Sequence, residues 1–348
     1  MRPPTIRDVA DRAGVSKSLV SLVLRGSDQV RAEKREAVLR AVRELGYRPN
    51  EAARSLGERR TVPGSGPRPG GGNPMVGVLL HDLRNPWYVD LLDGLNSLLH
   101  ASGLHMLLAD ARLHRRVGQD PAGPFLDLGA DGLVVVGTLP DPAALETVAA
   151  RMPVVVAAAR EPVPAGVDLV ANDDERGARL VTEHLVGLGH RRIAHLAGYG
   201  AVADLRRRGF EATMRAAGPD RAALVEAGDM TEEGGYRATV RLLARADRPT
   251  AVFAVNDMTA VGVLSAAEEL GLRVPRDLSV VGYDNTSISR LRHVWLTTVD
   301  GAGHEVGRRA ARCLLDRLER PGGEGRLQLT PPVLEVRGTT ARPPAVTA

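Results

Sequence analysis

Apolar positions in the first 48 residues fall at helical spacing, in three short runs parted by glycine and polar residues. Val9, Ala10 and Ala13 share one helical face, and Thr5 is placed to cap its start. Asp8, three residues after Thr5, accepts from free N–H groups or complements the helix dipole. Gly14 stops this helix and permits a tight turn, with Val15 plugging the space between helices. Ser16 caps a second helix carrying Leu19, Val20, Val23 and Leu24, which Gly26 ends. A third helix is predicted from about Ala32 to Leu45, with Val38, Val42 and Leu45 in phase and Gly46 as terminator. Three short helices with a glycine turn between the first two predict a helix-turn-helix.

From Val76 the pattern changes to short apolar runs alternating with helical stretches. Strands are predicted at 76–80, 104–109, 133–137 and 153–157 in one half, and at 168–171, 193–197, 251–254 and 279–282 in the other. Helices are predicted at 87–102, 174–187, 204–217 and 257–270. This alternation implies an α/β unit of parallel sheets covered by helices on both faces, with any ligand beyond the carboxyl ends of the strands. Between the two patterns lies TVPGSGPRPGGGNP, residues 61–74, a Gly/Pro-rich linker that cannot hold a helix. Its Gly-Ser-Gly precedes the first strand instead of following one, which is the wrong context for a dinucleotide loop.

A chain of 348 residues is long enough for two or three folding units. Its charge is unevenly placed. Residues 1–60 hold 14 Lys/Arg against 8 Asp/Glu, whereas the remainder holds 32 against 34. All the excess positive charge therefore sits in the first sixth, as for a nucleic-acid module on a nearly neutral body. Cys313 is the single cysteine, so no internal disulfide can form, and its helical setting reads as a small core residue. No apolar run reaches membrane-spanning length and the N-terminus lacks a secretory pattern, so a cytoplasmic protein is expected.

In a helix-turn-helix the second helix enters the major groove with its N-terminal side chains at base edges. Here those are Lys17, which can donate to guanine O6 and N7, and Ser18, which donates or accepts. Ser16, Ser21 and Arg25 suit phosphate contacts, and Thr5 and Gln29 complete the candidate DNA-binding set of this domain.

The runs TIRDVADRAGVSKSLVSLVLRGS and YRPNEAARSL resemble the LacI/GalR family of bacterial regulators, and the likeness continues through nearly the whole chain. The resemblance implies a hinge helix at 49–60 that enters the minor groove as a pair in a dimer. Asn50, Ala53 and Leu56 stand at its contact positions, with Leu56 as the wedge between central base pairs. It also implies a periplasmic-binding-protein type I fold over 75–340, with an effector in the cleft between two lobes. The implied division is 1–48 for the DNA-binding domain, with the N-lobe at about 75–172 and 299–325. The C-lobe is then 173–298 and 326–340, with crossovers near 172, 298 and 326.

Trp87 and Tyr88, after the first strand, either stack on a ligand ring or cap the first helix against the core. Arg206 resembles the arginine that donates to effector oxygens in the family. Asn256 is the better ligand candidate of the Asn256-Asp257 pair, with Asp257 as the cap of the next helix. Asp284, in GYDNT, can accept two hydroxyl hydrogen bonds, which suits a sugar or nucleoside. There are departures from the family. Leu19 and Leu22 stand where Thr and Arg are common, and Arg31 where a serine is typical. Ala157-Ala158-Ala159 precedes Arg160 where sugar-responsive relatives carry an acid, Met230 replaces a frequent aromatic, and Gly301 a frequent glutamine.

The function expected is a sequence-specific repressor acting as a homodimer on a pseudo-palindromic operator, its affinity changed by a sugar or related metabolite. No glycine fingerprint follows a strand and no nucleophile–base pair or metal spacing stands out, so no catalytic residue, metal or cofactor is expected.

Overall fold

The computed structural model describes residues 4–24, 30–45, 74–81, 83, 85–116, 122–137 and 142–344. The chain divides into two compact units, Met1–Asn73 and Pro74–Ala348.

Among its described residues the first unit holds three helices, α1 (Ile6–Ala13), α2 (Lys17–Leu24) and α3 (Ala32–Leu45). Thr5 and Asp8 form a full capping box on α1, and Gly14 ends it in the left-handed region at φ 64°. Ser16 Oγ accepts from the Leu19 N–H at 3.3 Å, so the turn into α2 is capped as its sequence predicts. Val9, Ala10, Val20, Val23, Val30, Val38 and Ala41 form one buried core, and Leu19, Leu22 and Leu24 pack against its edge. An Arg12–Glu44 pair at 2.7 Å ties α1 to α3 at the surface.

The second unit has two lobes. In the N-lobe, β1 (Met75–Leu80), β2 (His105–Asp110), β3 (Gly132–Val136), β4 (Val154–Ala157) and β5 (Asp168–Asn172) alternate with α4 (Trp87–Ala101), α5 (Ala111–Arg116), α6 (Gly123–Asp127) and α7 (Pro142–Ala149). The C-lobe holds α8 (Asp174–Gly187), β6 (Arg192–Ala197), α9 (Gly200–Ala216), β7 (Ala222–Ala227), α10 (Glu232–Leu243), β8 (Ala251–Ala254), α11 (Asp257–Glu269) and β9 (Ser279–Val281). The chain then crosses through β10 (Thr298–Asp300) to α12 (Gly303–Glu319) and β11 (Leu327–Thr330), and returns through β12 (Val333–Glu335).

The N-lobe sheet runs β11-β5-β4-β3-β1-β2 and the C-lobe sheet β7-β6-β8-β9, with every pairing parallel. Central strands such as GLVVV and AVFA are buried along their whole length. Such runs need cover on both faces, and they have it. Leu91, Leu95, Leu99 and Leu314 pack on one side of the N-lobe sheet, and Phe125 and Leu145 on the other. Each fully buried Leu or Phe contributes about 1.5–3 kcal/mol.

Two expectations are corrected. β5 belongs to the N-lobe sheet, hydrogen-bonded between β4 and β11, as the N-lobe bounds of 75–172 have it and not as the grouping of strands with 193–197 does. The third crossover falls after 330, not near 326, because β11 pairs with β5 in parallel register, Leu327 to Leu169 through Thr330 to Asn172. The segments that link the lobes are the β5–α8 junction and the antiparallel pair β10–β12.

Candidate effector cleft and DNA-binding helices

The carboxyl ends of the strands in both lobes open on a cleft of about 330 Å³. N-lobe residues His81, Trp87, Tyr88, Ala158, Arg160 and Glu161 line it, as do C-lobe residues Tyr199, Val202, Arg206, Met230, Glu232, Met258 and Asp284. Asn172, at the end of β5, lies beside the first crossover and also lines it.

The charged groups of this cleft form one network. Arg206, 4% exposed on α9, donates through Nε to Asp174 at 2.9 Å and through Nη2 to Asp284 at 3.2 Å. Its Nη1 donates to the Val255 carbonyl, and the guanidinium lies 3.5 Å over the Tyr283 ring. Arg160 is the N-lobe counterpart. It donates to Asn172 Oδ1 at 2.6 Å and to the Asn172 carbonyl at 3.0 Å, and forms an ion pair with Asp174. One carboxylate on the first turn of α8 therefore holds an arginine from each lobe.

Tyr283 is seated by a small residue. A Cβ at Gly177 of α8 would fall 2.2 Å from the Tyr283 hydroxyl, so only glycine lets the ring lie there. The hydroxyl accepts from Asn172 Nδ2 at 3.3 Å. Beyond it the backbone turns sharply, with Asp284 at φ 107° and Asn285 at φ 50°. Non-glycine residues hold such angles only where their surroundings fix them. Here Arg337 Nη2 donates to Asn285 Oδ1 at 2.6 Å, and Asn285 Nδ2 donates to Asp300 Oδ2 at 3.0 Å. Asp284 is thus one residue from side chains on β10 and just past β12, the two crossover strands.

Burial pushes the Asp284 carboxyl up to about 7, against the pull of the Arg206 guanidinium. Burial also works against charge on Arg206, but Asp174 and Asp284 outweigh it and hold the guanidinium more firmly protonated than usual.

The structure brings together four of the five predicted cleft residues: Trp87, Tyr88, Arg206 and Asp284. Asn256 is a correction. It is the N-cap of α11, its Oδ1 accepting from Thr259 N at 2.8 Å and its Nδ2 donating to the Met230 carbonyl at 3.1 Å. Its amide is spent on the fold and it does not line the cleft. Asp257, expected as that cap, is instead buried against Thr286 and Thr298, with its carboxyl pushed up to about 6 by burial. Trp87 and Tyr88 open α4 and also line the cleft, with their rings edge to face at 5.7 Å. Arg160 was marked only as a departure from the family, and Asn172, Asp174 and Tyr283 were not singled out as site residues. Arg160 and the second residue of the Asp173-Asp174 pair both follow strand ends, which was the available signal.

In the first unit Ser16, Lys17 and Ser18 are exposed at the N-terminal end of α2, and Thr5 and Ser21 are half-buried. Arg25, Gln29, Asn50, Ala53 and Leu56 lie outside the described residues, as do 61–73 of the linker.

An exposed helix start in a helix-turn-helix, on a chain that also carries a two-lobed α/β unit with a charged cleft, defines a DNA-binding transcriptional regulator. Residues 5–50 match the model of the bacterial regulatory proteins of the lacI family, and residues 182–340 that of a periplasmic binding protein-like domain. The chain is 36% identical over 329 residues to the HTH-type transcriptional regulator CelR of Thermobifida fusca, covering 91% of this chain and 92% of the relative. A solved CelR–cellobiose complex matches 97% of this chain and 99% of its own, with a TM-score of 0.68 and 31% identity. The lac repressor dimer bound to operator and the anti-inducer ONPF matches 98% and 100%, with a TM-score of 0.74 and 30% identity. The chain belongs to the lacI family of bacterial regulatory proteins.

Proposed function

We propose that this regulator is a cytoplasmic repressor that binds a pseudo-palindromic operator as a homodimer and is released or tightened by a sugar-like metabolite bound between its lobes. The observation that carries this reading is the Arg160–Asp174–Arg206–Asp284 network, which lies in the cleft and is tied to both crossover strands through Asn285. A ligand hydroxyl that bonds Asp284 or Arg206 competes within that network and alters the balance between lobe arrangements. An effector that weakens operator binding tenfold supplies about 1.4 kcal/mol of coupling, and the operator weakens effector binding equally. The protein acts by binding and not by catalysis: the buried arginines and Asn172 are committed to partners that hold them still. Lys17 and Ser18 read bases, and Thr5, Ser16 and Ser21 fix register on phosphates. Cellobiose, the ligand of the CelR complex, sets the scale of effector that such a cleft admits.

The test is selection of bound DNA from a random pool by the full-length protein at fixed salt. An inverted repeat is expected to emerge, and Lys17→Ala to relax base preference at one position of each half-site. Recovery of no shared sequence, with or without added sugars, would sink the repressor reading.

A further inference from the structure

Among the described residues, carboxyl groups around the cleft outnumber the arginines. Arg160 and Arg206 are partnered by Asp174 and Asp284. Glu161, which follows β4 in the N-lobe, and Glu232, which opens α10 in the C-lobe, also line the cleft. Among the described residues neither forms an ion pair, and the one hydrogen bond to their side chains runs from the Arg160 N–H to Glu161 Oε2 at 3.1 Å. The position of Glu232 in the first turn of a helix complements the dipole and accounts for its stability. It does not account for a second carboxylate on the opposite lobe of the same cavity. Three aromatic rings, Trp87, Tyr88 and Tyr199, share that cavity. Aromatic faces beside surplus carboxylates are the surroundings of an organic cation. No group of three or more His, Cys, Asp or Glu suited to a metal ion occurs among the described residues, so a metal does not answer the surplus.

We propose that the effector carries a positive charge, as an amine-bearing sugar whose ammonium group sits between Glu161 and Glu232 while its hydroxyls meet Asp284 and Arg206. This rests on the reading of the cleft as the effector site and narrows its ligand class. It also supplies a closing force. An ammonium that meets carboxylates from both lobes attracts each of them.

Titration calorimetry of the full-length protein tests it, with three disaccharides of one linkage: cellobiose, the β-1,4-linked glucosamine dimer, and that dimer N-acetylated. The amine form is expected to bind about tenfold tighter than cellobiose or the acetylated form, with the advantage shrinking as salt rises. In the Glu161→Gln/Glu232→Gln variant the three sugars are expected to converge. Glutamine keeps an oxygen for the Arg160 N–H, and an unchanged melting temperature shows the variant folded. Cellobiose binding with no gain from the amine overturns the charge inference and leaves the cleft as a sugar site. An advantage that survives in the double variant overturns the assignment to these two glutamates. Binding of none of the three overturns the inference and the sugar reading together.

Discussion

Two buried carboxylates, each held by arginines, stand at different places in the second unit. Asp168, at the start of β5, is fully buried and accepts five hydrogen bonds, two from Arg317 and three from Arg326 including its backbone N–H, at 2.8–3.2 Å. Arg317 spends its remaining donors on the carbonyls of Gly322, Gly323 and Glu324. Burial works against the Asp168 charge, but those bonds hold the carboxyl well below the usual carboxylate range. Asp284, in the cleft, has a single arginine bond and a backbone angle that disfavours its side chain. In the same network Arg160 Nε is buried without a hydrogen-bond partner among the described residues, while Asp174 Oδ2 is taken up by the Arg160 ion pair. The first site is saturated and serves the fold. The second keeps unmet capacity in the cleft proposed for the effector. Residue types alone do not separate the two, since both are Asp with Arg. The number of bonds each carboxylate receives does.

The largest effect is expected at the saturated site. Asp168→Asn leaves two guanidinium groups facing a neutral amide, and removal of one partner of a buried pair costs about 3–5 kcal/mol. Chemical unfolding of the full-length chain reads this loss, and a change below about 1 kcal/mol would show that Asp168 does not anchor β5 to α12 and β11.

Near pH 4, Asp284→Asn is expected to shift stability by about 1 kcal/mol or less, because the folded chain holds this group neutral there. The same variant is expected to abolish the effect of effector on operator affinity. The pH dependence sharpens this. With a folded value of about 7 against an ordinary 3.8, the folded chain holds an extra proton over that interval. Stability from this group is therefore fully present near pH 4 and falls as pH rises toward 7. Melting curves of the variant and the wild type are expected to diverge in the variant's favour between pH 5 and pH 8. Parallel curves would remove the titration from the account.

How much of this was legible in the sequence follows from where the signals are local. The cap of α1, the Gly14 turn and the bounds of α3 depend on neighbours within four residues and were read correctly. The parallel sheets were legible because runs such as VVVA and AVFA leave no polar face. β7 was overlooked: AALVEA lies at a sheet edge with alternate residues exposed, and its alanines carry little strand preference. α10 was overlooked because Gly234-Gly235 argues against a helix. The glycines are there for packing, since a Cβ at Gly235 would fall 2.3 Å from the Thr259 carbonyl of α11. Arg206 was found through the family resemblance, and Asp284 because it follows a strand end. Asp174, which joins Arg160 to Arg206, depends on three segments meeting, and no local pattern records that. Asn256 misled for the opposite reason. Its place after β8 fits a ligand contact, and it also fits a helix cap, which is what the backbone of α11 required.

The smallest effect separates the two kinds of site by a third group. His195 on β6 is fully buried, stacked on Phe253 at 4.5 Å and near Phe210 at 5.5 Å. Its Nδ1 lies 3.0 Å from the Phe253 carbonyl, which fixes the proton there, and Nε2 has no partner among the described residues. Burial lowers its pKa from 6.5 to about 4, so the ring is neutral in the folded chain. Between those values the unfolded chain binds the extra proton, and the contribution of His195 to stability falls as pH drops from about 6.5 toward 4. His195→Phe loses one hydrogen bond of about 1 kcal/mol and relieves a buried unpaired nitrogen of comparable cost, so stability at pH 7.5 is expected to change little. At pH 5 the variant is expected to melt higher than the wild type. If it melts lower at both pH values, Nε2 is satisfied by a group that its aromatic surroundings do not supply, and His195 belongs with the polar networks and not with the core.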